Sequence, residues 1–153
     1  MARPTRLMRV ALGAAAAALL AGCAMMTPIQ TAEPYAPSDG FRIALTPEVR
    51  AENIMVLAES EGSEGQVFGA LVNDTEEDLT MTLALADGGI SLPVPAGTQI
   101  LLGVEETVVI PAVPVAPGAL VEARVEASGH GSVIRSVPVL DETLPQYSEY
   151  VPN

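Results

Sequence analysis

Cys23 is the residue of this sequence whose surroundings point to a definite chemistry. It is the only cysteine, and it ends the stretch Leu20-Ala21-Gly22-Cys23. Small residues ahead of a cleavage site let a signal peptidase reach the backbone, and the thiol that follows can carry a lipid. This pattern, a bacterial lipobox, predicts a diacylglyceryl group on Cys23 and no other cofactor.

The residues ahead of Cys23 favour the same chemistry. Residues 1–9 carry arginines, and an apolar run follows from Val10 to Leu20. That run is well short of the roughly 20 residues that a membrane-spanning helix needs, so it is typical of the central region of a signal peptide. Residues 1–22 are therefore predicted to be cleaved, which would leave the chain lipid-anchored at the extracytoplasmic face of the cell membrane. An ordinary secretory signal with an incidental cysteine is the alternative.

The charge of the chain limits its partners. There are 19 acidic residues against 7 basic ones, all arginine, and the formal net charge is −12. Nucleic-acid binding requires cationic side chains that neutralise phosphates, so no nucleic-acid partner is expected. The same charge would hold the domain away from anionic lipid headgroups. A solvated surface is the simpler interpretation of the acids, and a basic partner is the alternative.

Aromatic residues are few, and their positions argue against sugar binding. They make up 3% of the chain, there is no tryptophan, and the three tyrosines are Tyr35, Tyr147 and Tyr150. Carbohydrate sites usually present stacking rings, and these tyrosines lie outside the predicted strands. The aromatic residues therefore argue against a carbohydrate partner.

Residues 41–140 are predicted to form a single β-sandwich. Residues 23–40 contain Cys23 and several prolines without apolar periodicity, which is typical of a tether. Short apolar runs separated by turn residues then predict seven or eight strands in an antiparallel, Ig-like or Greek-key sandwich. Residues 141–153 are predicted to be an irregular tail, either packed on the sandwich or free. The predicted strands are Val49–Ala58, Gln66–Val72, Asp78–Ala86, Ile90–Val94, Thr98–Leu102, Thr107–Ile110, Ala119–Ala127 and Ser132–Val139.

Two of these strands carry detailed expectations. Ala119–Ala127 alternates, which places Val121, Ala123 and Val125 inward and the charged residues between them outward. In Val49–Ala58 the alternation changes phase near Asn53, which predicts a β-bulge or a crossing between sheets.

Three groups of residues could in principle do chemistry, and each has a simpler interpretation. His130 stands among glycines and serines typical of a hairpin turn, without the partners that a catalytic histidine needs. The acids from Asp74 to Asp78 could bind calcium, but the EF-hand spacing is absent and a solvated turn is simpler. Met55 and Met81 could bind Cu(I) but fall in strand patterns, where core packing is the usual role. No catalytic or metal-binding residue is predicted, and the protein is expected not to be an enzyme.

The order of features from Pro47 to Leu140 resembles two related kinds of extracytoplasmic β-sandwich. These are the periplasmic copper chaperones of the PCuAC type and a set of actinobacterial cell-surface lipoproteins. The segments that carry the resemblance are Val49–Leu57, Gly69–Asn73 with the acidic turn and Leu79, Val94–Gly97 leading into Ile100, Pro117–Val121 and Val137–Leu140.

The resemblance implies a fold more than a metal site. PCuAC-type chaperones bind copper through histidines and methionines near the middle of the sandwich. The corresponding stretch, Ile90 to Ile110, contains neither residue type, so no ligand position carries over to this sequence.

The sequence therefore favours a non-enzymatic lipoprotein that interacts with a protein of the cell envelope. A carrier of copper or of a small ligand, in the manner of the copper chaperones, is the alternative.

Overall fold

The structure of the protein is a computed structural model that describes residues 38–143 and 145–152 of the 153-residue chain. The predicted signal peptide, the lipobox with Cys23 and the tether as far as residue 37 lie outside the described residues. In the part of the chain that the structure describes, no helix is both long enough and apolar enough to span a membrane.

Nine strands and one short 3₁₀ helix make up the regular structure of the described residues. The 3₁₀ helix is Pro145–Tyr147. The strands are β1 (Phe41–Ala44), β2 (Val49–Ala58), β3 (Gly65–Asn73), β4 (Leu79–Leu85), β5 (Gly88–Val94), β6 (Thr98–Leu102), β7 (Val109–Ile110), β8 (Leu120–Ala127) and β9 (Gly131–Leu140).

The strands form two sheets that are joined where the end of β9 pairs with β2. Their order along the hydrogen-bonded path is β5-β4-β8-β9-β2-β3-β6, with β1 added to β2 and β7 added to β3. We call β5, β4, β8 and β9 the second sheet and the remaining strands the first sheet. The end of β9 leaves β8 and pairs with β2, through Val139 opposite Val56 and Leu140 opposite Leu57.

The predicted all-β sandwich is confirmed, with two differences. The pairing of β9 with β2 is parallel, whereas the sequence predicted antiparallel neighbours throughout. This contact joins residues 83 positions apart, so no local pattern could reveal it. Strand β1 was also not predicted, because four residues are too few to show a period.

The predicted phase change in β2 is a β-bulge. The register with β3 shifts between Glu52 and Met55, and Asn53 adopts a left-handed φ of 53°, which asparagine tolerates better than most residues. Its side-chain Oδ1 accepts a hydrogen bond of 2.8 Å from the backbone N–H of Gly40. Because of the bulge, Ile54 and Val56 point into the sandwich, whereas Met55 and Leu57 point to the opposite face.

The core lies between the two sheets and is almost entirely aliphatic. Alternate residues of the strands meet there, and the predicted inward positions Val121, Ala123 and Val125 are all buried. The large side chains that are fully buried in this core include Ile43, Ile54, Leu71, Met81, Leu83 and Ile110.

Candidate functional site

An open groove of about 450 Å³ lies on the outer face of the second sheet. We call it the outer groove. Strands β4, β8 and β9 form its floor, and the connection between β7 and β8 forms one wall. The residues that line it are Ala84, Ala86, Pro114, Val115, Leu120, Val121, Glu122, Arg124 and Ile134.

The shape and surface of the outer groove follow from the register of three strands. Arg124 lies opposite Ala84 on β4 and opposite Ile134 on β9. The small alanine leaves a depression beside the larger side chains. Leu120 is 52% exposed and Ile134 is 47% exposed, although outward positions of a sandwich are usually polar. The groove therefore combines an apolar surface with two charged side chains, Glu122 and Arg124.

Arg124 has no close acidic partner among the described residues. Its nearest hydrogen-bond contact is a long one, 3.5 Å from Nη1 to the hydroxyl of Ser132. By contrast, Arg50 lies 2.7 Å from Oε1 of Glu52 and 2.6 Å from Oδ2 of Asp74. The guanidinium of Arg124 is thus available to a molecule in the groove, where it can donate several hydrogen bonds.

The outer groove lies close to an acidic end of the sandwich, because its lining residue Ala86 is in the turn between β4 and β5. Four segments meet at this end: the β2–β3 connection, the β4–β5 turn, the β6–β7 connection and the residues that directly follow β9. These four segments contain no basic residue. Their acidic residues are Glu59, Glu61, Glu64, Asp87, Glu105, Glu106, Asp141 and Glu142. We call this surface the acidic end.

The chemistry that this arrangement supports is binding. Nucleophilic or acid–base catalysis needs a reactive side chain held by a base or an orienting group, and the lining of the outer groove has neither. An apolar surface with a free guanidinium and a carboxylate can bury an apolar side chain and hydrogen-bond the backbone beside it.

His130 occupies the β8–β9 turn, as the sequence predicted. Its backbone N–H donates to the carbonyl of Ala127 over 3.0 Å, and its ring Nδ1 lies 3.0 Å from the carbonyl oxygen of Ser128. Ser128 in turn hydrogen-bonds Thr80 at the start of β4 through both its backbone N–H and its hydroxyl. The turn is therefore tied to the sheet by its own residues, and the histidine side chain takes part only in a local contact.

Met55 and Met81, the methionines among the described residues, are packing residues in different places. Met81 is fully buried in the main core, whereas Met55 is 4% exposed and lies on the outer face of the first sheet. Within the described residues, no group of three or more His, Cys, Asp or Glu side chains is placed to hold a metal ion. The donor set described by the structure, with one half-exposed histidine and two buried thioethers, does not fit a copper site.

The acidic turn after β3 is organised by the side chain of Asn73. This residue is fully buried, and its Nδ2 donates to the carbonyls of Glu77 (2.8 Å), Val94 (2.9 Å) and Pro95 (3.2 Å). Its Oδ1 accepts from the backbone N–H and the hydroxyl of Thr75 at 3.1 and 2.7 Å. The amide thereby joins the β3–β4 turn to the end of β5.

The acids of this turn have structural partners of their own. Asp74 pairs with Arg50, and Oδ1 of Asp78 accepts a 2.9 Å hydrogen bond from the backbone N–H of Ala96. Two carboxylates that could have met at a calcium ion are therefore engaged in separate contacts.

The C-terminal tail packs on the outer face of the first sheet. Met55, Leu57 and Phe68 form an apolar cluster there, against which Tyr147 and Val151 pack. The ring of Tyr150 meets Phe68 edge-on with centroids 5.2 Å apart. The hydroxyl of Tyr147 donates a 2.6 Å hydrogen bond to Oδ2 of Asp39, which ties the tail to the segment that precedes β1. The tail therefore covers apolar surface that would otherwise be exposed.

A pH prediction follows from this contact. Burial and the hydrogen bond to Asp39 raise the pKa of Tyr147 from 10.0 to about 12. Because the folded chain holds this proton more tightly than the unfolded chain, the contribution to stability is complete below pH 10 and declines as the pH rises toward 12. We expect the absorbance titration of the tyrosines to show a phenolate step near pH 12.

Three variants test the assignment of that step. Tyr147→Phe should remove it, and Asp39→Asn should move it to lower pH while burial keeps part of the shift. Tyr150→Phe is the control and should leave it in place. A wild-type titration without a step near pH 12 would contradict the hydrogen bond.

Comparison with known proteins places the chain by its fold. No protein-family model matches the sequence, and a search of curated proteins finds no match. Among solved structures, the apo PCuAC domain from PmoF1 superposes with a TM-score of 0.53 at 10% sequence identity, covering 65% of this chain and 98% of that domain. The copper-bound PCuAC domain from PmoF2 gives 0.51 at 14% identity, covering 66% and 98%. This chain is thus similar in fold to PCuAC domains.

Proposed function

We propose that this protein is a non-enzymatic, lipid-anchored β-sandwich that binds a protein partner at the extracytoplasmic face of the cell membrane. The outer groove carries this proposal, because Leu120 and Ile134 are about half exposed on a face where sheets normally present polar residues. Contiguous apolar surface framed by polar residues is characteristic of interaction sites. The lipobox at Leu20–Cys23 supports the location.

The groove suits a protein better than a small apolar ligand. Small-molecule pockets usually enclose most of the surface of the ligand, whereas the outer groove is open along one side. Interfaces, by contrast, have an apolar centre within a polar rim. Leu120 and Ile134 would form that centre, with Glu122 and Arg124 beside it.

Chemical cross-linking in intact cells tests the proposal. We expect the wild-type protein to capture a defined partner that the double variant Leu120→Ser, Ile134→Ser does not capture. The matched control is Val104→Ser, which changes an apolar side chain that is 73% exposed outside the groove and should leave capture intact. If the double variant captures the same proteins as the wild type, the groove is not the interaction site.

Copper carriage is the second candidate, and the fold likeness to a copper-bound PCuAC domain is the observation that favours it. The positions of His130, Met55 and Met81 in this chain oppose it. Titration of the full chain with Cu(I) distinguishes the two functions. Stoichiometric uptake at high affinity would support the carrier, and its absence would leave the interaction role.

A further inference from the structure

We infer that the partner of the outer groove is a basic, extended protein segment that inserts an apolar side chain between Leu120 and Ile134. The inference rests on the proposed function and specifies the chemistry of the partner. Three features of the described residues carry it: the apolar floor of the groove, the charges around it, and the unpaired guanidinium within it.

The floor determines what enters the groove. Leu120 and Ile134 leave about half of their surface to solvent, and Ala84 provides room between β4 and β8. Contact of an aliphatic side chain with this surface removes apolar area from water, which favours binding. A leucine or isoleucine side chain can be buried against this surface.

The surrounding charges determine which segments approach. The lining residue Ala86 places the groove beside the acidic end, and Asp87 directly follows it. Glu122 lies in the groove itself, and Glu126 lies on the same sheet face, two residues after Arg124. Asp87, Glu122 and Glu126 outnumber the two nearby cations, Arg124 and Arg135. Because opposite charges accelerate association, lysine and arginine residues are favoured beside the inserted side chain.

The same charges disfavour the other occupants of an apolar groove. A second copy of this chain would bring its own net charge of −12 to the contact, and two strongly acidic molecules repel each other. Anionic lipid headgroups and nucleic acid are disfavoured for the same reason. A basic segment of another protein meets no such barrier.

Arg124 fits this partner despite its charge. Its only described contact is the 3.5 Å approach to Ser132, which leaves most of its donors free. Backbone carbonyls of an extended segment crossing the groove would accept hydrogen bonds from it, and its aliphatic stem adds to the apolar floor. Arg124 would thus hold the backbone, while Glu122 and Asp87 would pair with basic side chains.

Short fluorescent peptides test the inference on the full-length lipoprotein in zwitterionic detergent micelles. The probes are an alternating lysine–leucine peptide, the matching glutamate–leucine peptide and a lysine–serine peptide. We expect the lysine–leucine peptide to bind most tightly, with an affinity that falls as the NaCl concentration rises. Equal or tighter binding of the glutamate–leucine peptide would overturn the inference, as would equal binding of the lysine–serine peptide.

Variants separate the contribution of apolar contact to peptide binding from the contribution of charge. Leu120→Ser with Ile134→Ser should weaken the lysine–leucine peptide about tenfold or more, and Val104→Ser should have no effect. Asp87→Asn with Glu122→Gln should weaken binding at low salt and reduce its salt dependence. The matched charge control, Glu76→Gln with Glu77→Gln, lies in the turn after β3 at the opposite end of the sandwich and should have little effect. Equal losses from the two charge pairs would overturn a groove-centred mode of binding.

The inference and the proposed function fail in different ways. If cross-linking depends on Leu120 and Ile134 but the peptides show no preference for lysine, the groove binds a partner of another charge. If cross-linking does not depend on those residues, the proposed function itself is wrong. Thermal unfolding of each variant shows whether a loss of binding reflects a loss of fold.

Discussion

Replacement of Asn73 by alanine is expected to lower the free energy of unfolding by about 2–4 kcal/mol. The side chain is fully buried, the two N–H groups of Nδ2 are shared among three carbonyls, and Oδ1 accepts two hydrogen bonds. Truncation would leave the buried carbonyl of Val94 without this donor. It would also separate the β3–β4 turn from the end of β5, which is an edge strand of the second sheet.

Urea denaturation of the wild type and the variant measures this loss. Glu76→Ala is the matched control, because Glu76 is exposed in the same turn, and its change should stay within about 0.5 kcal/mol. Asn73→Asp provides a second test. It keeps the acceptor for Thr75 but directs a carboxylate oxygen at three carbonyls, so it should destabilise the fold as well. A loss below about 1 kcal/mol for Asn73→Ala would show that the turn does not depend on this amide.

Replacement of Cys23 by alanine is expected to move nearly all of the protein from the membrane fraction to the soluble fraction. Cys23 is the only thiol of the chain, and two acyl chains on it are needed for stable anchoring. The net charge of −12 opposes electrostatic binding to anionic headgroups. Once residues 1–22 are cleaved and the lipid is absent, no second attraction is predicted to hold the chain on the bilayer.

Fractionation of cells with immunoblotting of each fraction measures the shift. Met25→Ala, two residues beyond the predicted attachment site, is the control and should remain with the membrane. The wild type should also remain there after a high-salt wash, because a lipid anchor is not electrostatic. Retention of Cys23→Ala in the washed membrane would overturn the lipoprotein prediction.

Part of the outer groove was visible in the sequence. The alternation of β8 places Glu122 and Arg124 outward, and Leu120 shares their parity. A leucine at an outward position is a local signal of an exposed apolar site. Ile134 gives the same signal on β9, where Ser132 and Ser136 are its outward neighbours. That these two residues belong to one groove follows only from the pairing of β8 with β9.

The groove wall, the role of Asn73 and the packing of the C-terminal tail are not indicated by any local sequence pattern. The wall of the groove at Pro114 and Val115 comes from a connection without regular structure, whose path depends on what it packs against. The role of Asn73 was equally hidden, because its partners Val94 and Pro95 lie more than 20 residues away. The sequence also left open whether the tail was packed or free. Its packing depends on the apolar cluster of Met55, Leu57 and Phe68, which the bulge at Asn53 turns to the outer face.

The sequence by itself determined the acidic composition, the strand pattern and the bulge in β2, and it predicts the lipid attachment. These features depend on residue type and on spacing along a few neighbouring positions, where side-chain alternation and backbone preference act directly. The tertiary structure decided the parallel pairing of β9 with β2, the burial of Asn73, the packing of the C-terminal tail on Phe68 and the assembly of the outer groove. Each of these brings together residues far apart in the chain, and such contacts depend on how the whole core packs rather than on any single segment.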